Sequence, residues 1–170
     1  MITEFLSEES ISLHKEYVRQ KRLKYSILES YLPELRGASV ADLFRLRMGK
    51  KDRADALSLL PEIVLHDVFF SSFCEEKNPS SRAIAELYGS EASFLNVLYR
   101  LALKHPYGFI GIGRRASVCV FSGDAEALRY DAPLLAIDLC EHAYFPDYGF
   151  DRERYLVEAL SHLDLKKITT

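Results

Sequence analysis

The chain is poor in sulfur. Its 170 residues include three cysteines, Cys74, Cys119 and Cys140. They are widely spaced, odd in number and form no Cys-x-x-Cys, which argues against a disulfide framework or a thiolate zinc site and fits a reducing compartment. No apolar run reaches the ~20 residues of a transmembrane helix. Positive charge is not in surplus: the formal net charge is -3, so no global basic field draws the chain to nucleic acid or to a membrane. There is no Walker loop, nucleotide-binding glycine fingerprint, internal repeat or low-complexity tract. The opening residues, Met-Ile-Thr-Glu-Phe-Leu-Ser-Glu-Glu, are acidic and short of apolar side chains, unlike a signal peptide. The expected location is the cytoplasm.

What is present is ordinary for a globular protein: 48% apolar and 28% charged residues. A chain of this length makes one compact unit or two closely packed subdomains. Ser7 is placed to cap a helix that nothing interrupts before Tyr31. Ile11, His14, Val18, Tyr25 and Leu28 share one face of it. Pro33 and Gly37 mark a turn, and Ser39 with Asp42 predicts a capping box on a short second helix. A third helix is expected from Ala54 to about Phe73, with a bend at Pro61. Its inward face is read as Leu59, Ile63, His66 and Phe70. Each long helix thus carries one histidine among apolar residues, and the two read as an antiparallel pair. A lone histidine on such a face is usually a hydrogen-bonded core residue; two facing each other supply half a metal shell. Arg19, Lys21, Arg22 and Lys24 form a basic cluster, either a solvated face or one that steers an anion.

The segment 75–81, containing Asn78-Pro79, divides the chain into a helical hairpin domain, 1–76, and an α+β domain, 77–170. Helices are expected over 80–88 and 90–104, with Phe94, Leu95, Leu98, Leu101 and Ala102 as the apolar stripe of the second. Three short strands follow, at 108–113, 116–122 and 133–139. Asp151 caps a last helix to about Leu163, and the tail from Lys166 to Thr170 is expected to fray. The fold class is therefore α+β, with helices packed on a small three-stranded antiparallel sheet.

The third strand ends in chemistry. After the apolar run 133–137 come Asp138, then Glu141, His142, Tyr144 and Phe145. Carboxylate and neutral imidazole are ligands that iron and manganese accept together. Four extended residues span about 13 Å, so Asp138 and His142 share an ion only if the strand stops near Leu139 and the chain coils. The alternative is a strand end carrying a solvated Glu-His pair.

Asp138-Leu139-Cys140-Glu141-His142-Ala143-Tyr144 resembles the Asp-Val-Trp-Glu-His-Ala-Tyr signature of the iron/manganese superoxide dismutases. The run from Leu6 to Ser10 leading to His14 is similar to the segment bearing that family's first metal ligand. His66-Asp67-Val68-Phe69-Phe70 is similar to its Asn-His-x-x-Phe-Trp segment. The resemblance extends from about Leu6 to Leu163. It implies one iron or manganese ion held by His14, His66, Asp138 and His142, and superoxide or another small anion as substrate. It further implies a homodimer in which Glu141 meets His142 of the partner.

The same resemblance shows replacements. Val18 stands where the family has a histidine, and Arg22 where it has a gateway tyrosine, with Tyr25 one turn further on. Tryptophan is absent, and Phe70, Phe109 and Cys140 occupy three of its positions. Glu62 takes the place of the iron-type glutamine that donates to the metal's solvent. An ionised carboxylate only accepts, so Glu62 favours bound water, a reduced ion and a high reduction potential, unless it faces solvent or pairs with a nearby base such as Arg22. Glu62, Arg22 and Tyr25 are the expected catalytic residues. Cys140 is read as a small core residue in preference to a thiolate ligand. Three functions follow: a superoxide dismutase, a metalloprotein of the same fold with other redox or sensing chemistry, or a silent structural protein. A non-haem iron oxygenase fits less well, because it uses two histidines and one carboxylate.

Overall fold

The computed structural model of the chain describes residues 1–122, 125–129 and 132–169. Helix α1 spans Glu8–Tyr31, and its Ser7 cap accepts from the Ser10 N–H. Its buried residues are Ser10, Ile11, His14, Val18, Tyr25 and Leu28, which include every member of the expected face. Helix α2, Val40–Leu43, opens with the Ser39–Asp42 capping box. Helix α3 spans Lys50–Ser71 and begins four residues before Ala54; Pro61 lies inside it. The inward face of α3 is wider than expected. Ile63 and His66 are buried, Leu59 and Phe70 only partly, and Ala56, Leu60, Leu65 and Phe69 complete it. His14 lies beside His66 while Lys21 meets Glu62, so numbering rises on one helix as it falls on the other. The pair is antiparallel.

Helices α4, Arg82–Tyr88, and α5, Glu91–Lys104, are separated by Gly89 at φ +81, a left-handed cap that glycine adopts freely, and by the Ser90 cap. Phe94, Leu98 and Ala102 form the buried stripe of α5. Strands β1, Phe109–Ile112, β2, Val118–Phe121, and β3, Leu135–Asp138, pair antiparallel in the order β2-β1-β3. The expected second strand began at Ala116. Instead Arg115 and Ala116 both take positive φ, 57° and 55°, in a tight β1–β2 turn. Left-handed backbone costs a non-glycine residue about 1–2 kcal/mol. The Tyr88 hydroxyl, donating to the Ala116 carbonyl at 3.0 Å, helps hold it. The short helix α6, Phe145–Tyr148, precedes α7, Arg152–Ser161, which Asp151 caps as expected.

One hydrophobic core joins both halves of the chain. The tail does not fray through residue 169: Leu165 and Ile168 are buried, and the Ser81 hydroxyl donates to the Ile168 carbonyl at 3.3 Å. Thr170 lies outside the described residues. No helix among the described residues is long and apolar enough to cross a membrane. Two contacts tie down the end of α3. The Ser72 hydroxyl accepts the Ala136 N–H of β3 at 2.7 Å, and the Cys74 N–H donates to the His162 carbonyl at the end of α7 at 2.9 Å.

Candidate metal centre

Four side chains from four elements converge. His14 comes from the buried face of α1, His66 from α3, Asp138 from the last position of β3, and His142 from the 3-10 turn Glu141–Ala143. The strand stops at Asp138 and the chain coils at once, the condition required for residues 138 and 142 to meet. The four ligand atoms lie within 4.8 Å of one another. The Nε2 atoms of His142, His14 and His66 stand 3.1, 3.2 and 3.4 Å from Asp138 Oδ2. Imidazole and carboxylate ligands bond metals at about 2.1 Å, and atoms at that radius separated by roughly 90–120° lie about 3.0–3.6 Å apart.

Hydrogen bonds aim these groups. The His66 Nδ1–H donates to the Glu62 carbonyl at 2.6 Å, which leaves a lone pair on its Nε2. The Cys140 N–H donates to Asp138 Oδ1 at 2.8 Å, and the Tyr155 hydroxyl donates to the Asp138 carbonyl at 2.8 Å. Asp138 is 0% exposed. Its Oδ2 and both ring nitrogens of His14 are buried without a hydrogen bond of acceptable angle, despite the short separations. A buried carboxylate oxygen left in this state is costly. Burial pushes the Asp138 pKa up, but the three imidazoles outweigh it and hold the carboxyl well below the usual range. Burial lowers the His14 pKa, keeping the ring neutral. Three imidazoles and one carboxylate converging on one point are a donor set that iron or manganese accepts.

Aromatic rings wall the cluster. Phe70 and Phe69 lie 5.0 and 5.1 Å from the His14 ring, Phe109 packs edge-on to His66 at 4.9 Å, and Tyr17 stacks on His142 at 4.2 Å. Tyr144 is turned inward, stacked on Tyr155 at 4.7 Å.

The expected catalytic residues are placed differently from one another. Glu62 is at the site's edge, but its partner is Lys21, at 2.7 Å, and the Tyr17 hydroxyl donates to the same oxygen at 3.3 Å. Arg22, one partner considered for Glu62 from sequence, pairs with Asp67 on the surface instead, with half its side chain exposed. Tyr25 is eleven residues past His14, about 16 Å along the axis, and its hydroxyl faces the Leu35 carbonyl at 3.5 Å. Cys140 is outside the ligand cluster. It accepts the Gly108 N–H at 3.3 Å, and burial pushes its thiol up to about 12.

Sequence reasoning missed Tyr17. The available signal was spacing: three residues after His14 places it on the adjoining turn of the same face. Tyr17, Glu62, His66, Cys140 and His142 also line one end of a cavity of about 280 Å³ whose other walls are mostly apolar.

No curated protein matches the chain. The family model for the C-terminal domain of iron/manganese superoxide dismutases matches residues 76–170. That span holds the sheet, Asp138 and His142, and covers more than half of the chain, which therefore belongs to the iron/manganese superoxide dismutase family.

Proposed function

We propose that the protein holds one iron or manganese ion through His14, His66, Asp138 and His142 and disproportionates superoxide, two molecules and two protons giving oxygen and hydrogen peroxide. The observation that supports this most is the approach of three imidazole Nε2 atoms to a single buried carboxylate oxygen. A bound ion would supply a one-electron couple that takes an electron from one superoxide and returns it to the next. The chain's own residues do the rest. His66 is held in one tautomer by Glu62, and Asp138 is anchored through Oδ1 so that Oδ2 faces the imidazoles. Lys21 pairs with Glu62 at the edge of the site, where its charge offsets a carboxylate that would otherwise repel an incoming anion. Tyr17 carries a hydroxyl proton between Glu62 and the His142 ring. Burial raises its pKa and outweighs the opposing effect of Lys21, so the proton stays on at neutral pH. Glu62 is engaged by Lys21 and by the Tyr17 hydroxyl, the paired alternative to a direct role on bound solvent, and it acts through those two groups.

In this reading the unit 1–76 contributes two ligands and the unit 77–170 two more. The working assembly is a cytoplasmic homodimer. Its proposed contact face carries Glu141, the partly exposed His142, and the exposed apolar residues Leu13, Phe145 and Phe150. Elemental analysis of the purified protein, with superoxide loss assayed before and after metal removal, tests the proposal. Failure to retain or take up either metal would refute it. Metal without dismutation would select a second reading, one-way superoxide reduction or sensing. The Lys21–Glu62–Tyr17 group favours that reading, because it sets an acceptor where dismutation calls for a donor.

A further inference from the structure

The cavity beside the candidate ligands is larger and more apolar than a diatomic anion requires. It measures about 280 Å³, and an apolar cavity of about 150 Å³ already admits benzene. Leu57, Pro61, Leu65, Phe109, Phe121 and Leu128 form its walls. Superoxide gains nothing from such walls, and taking its charge away from water is costly. The polar groups gather at one end: the Glu62 carboxylate, the Tyr17 hydroxyl, the Cys140 thiol and the ring of His142. Exposed Ser58 and Tyr107 also line the cavity and mark its opening to solvent.

We propose that this cavity binds a small, uncharged monocyclic aromatic compound carrying one hydroxyl donor. The ring packs between Pro61 and Leu65 on α3 and Phe109 and Phe121 on the sheet. The hydroxyl donates to Glu62. Glu62 lines the cavity and already accepts from Lys21 and from the Tyr17 hydroxyl, so it offers a ligand an acceptor. Lys21 pairs with that carboxylate and does not itself line the cavity. An anionic ligand entering the cavity would thus meet like charge before it met the lysine. This inference goes beyond the dismutase reading. Every group it uses belongs to the protein, so binding does not require metal.

The test is calorimetric titration of the protein, stripped with a chelator, against phenol and against benzoate. Phenol is expected to bind with a dissociation constant on the order of 1 mM, and benzoate at least about tenfold more weakly. Leu57→Trp, which fills the cavity, and Ser58→Phe, which narrows its mouth, should each weaken phenol by about tenfold or more. Their melting temperatures without ligand report whether the fold is intact. Magnetisation transfer between phenol and the rings of Phe109 and Phe121 locates the ligand independently of either variant. Absence of phenol binding, unchanged binding in both folded variants, equal affinity for benzoate, or no transfer to those two rings would each overturn the proposal. Metal uptake is measured separately, so failure of the metal reading leaves this result standing, and the converse also holds.

Discussion

Replacing Asp138 by Asn separates metal binding from mere packing. The two side chains have the same shape, and an amide oxygen at the Oδ1 position still accepts the Cys140 N–H, which lies at 2.8 Å in the parent. What is lost is the negative charge facing three Nε2 atoms at 3.1–3.4 Å. In the metal-free protein two effects oppose each other. Removing a wholly buried charge relieves desolvation, and removing the partner of three imidazoles forfeits their attraction. The expected loss is about 1–3 kcal/mol. With metal the contrast is larger. A ligand at 100 times its dissociation constant stabilises the fold by about 2.7 kcal/mol. For a chain of this size 1 kcal/mol shifts the melting temperature by about 2–4 °C, so the parent gains about 5–11 °C. A second-sphere change already costs about 10–100-fold in metal affinity, and loss of the only anionic ligand should cost more. The Asn variant, at the same free metal, should then gain about 2 °C or less. Scanning calorimetry with manganous ion and with chelator measures both values. Equal gains in parent and variant would refute the assignment of Asp138 as a ligand.

Tyr17→Phe keeps the 4.2 Å stack on His142 and removes the bond to Glu62; stability should change by less than about 1 kcal/mol. Superoxide turnover by stopped flow should drop by about tenfold or more. Lys21→Ala removes a partly exposed ion pair worth about 1 kcal/mol or less, yet kcat/KM should decline a few-fold and lose part of its salt dependence. Gly108→Ala is predicted to unfold readily. Gly108 has φ +95, and a Cβ there would lie 2.2 Å from the Phe121 carbonyl oxygen, so urea midpoints should report a loss above about 2 kcal/mol. Metal-free stability should also fall on acidification. His14 has a folded pKa below its unfolded value of about 6.5, so the unfolded chain takes up a proton first and stability is lost as pH falls below that value. Asp138, also depressed, adds a further loss below its unfolded pKa near 3.9. Substituting His14 by Phe should remove the upper part of that slope, measured by urea denaturation between pH 7 and pH 5.

Much of the fold was legible because local rules agreed with the final packing. The α1 face, the Ser39–Asp42 box and the Asp151 cap each depend on residues within one or two turns. Legibility failed where distant neighbours decide. No glycine or asparagine announces the left-handed pair Arg115–Ala116, and the Tyr88 hydroxyl that stabilises it comes from another helix. The tail was expected to fray because nothing nearby in sequence shows that Leu165 and Ile168 are buried in the common core.

The candidate ligands divide in the same way. His14, His66, Asp138 and His142 stood out as candidates by local pattern, histidines at helical spacing and a carboxylate ending an apolar run, and the family resemblance joined them into one set. Their partners did not stand out. Whether Glu62 meets Lys21 or Arg22, and whether Tyr17 or Tyr25 stands by His142, depends on how α1 and α3 are rotated about their own axes. The sequence alone determined which residues have the chemistry to hold a metal, because ligand type belongs to the side chain itself. Tertiary packing decided which charges and hydroxyls surround them and left a cavity beside them, because those distances depend on elements far apart in the chain.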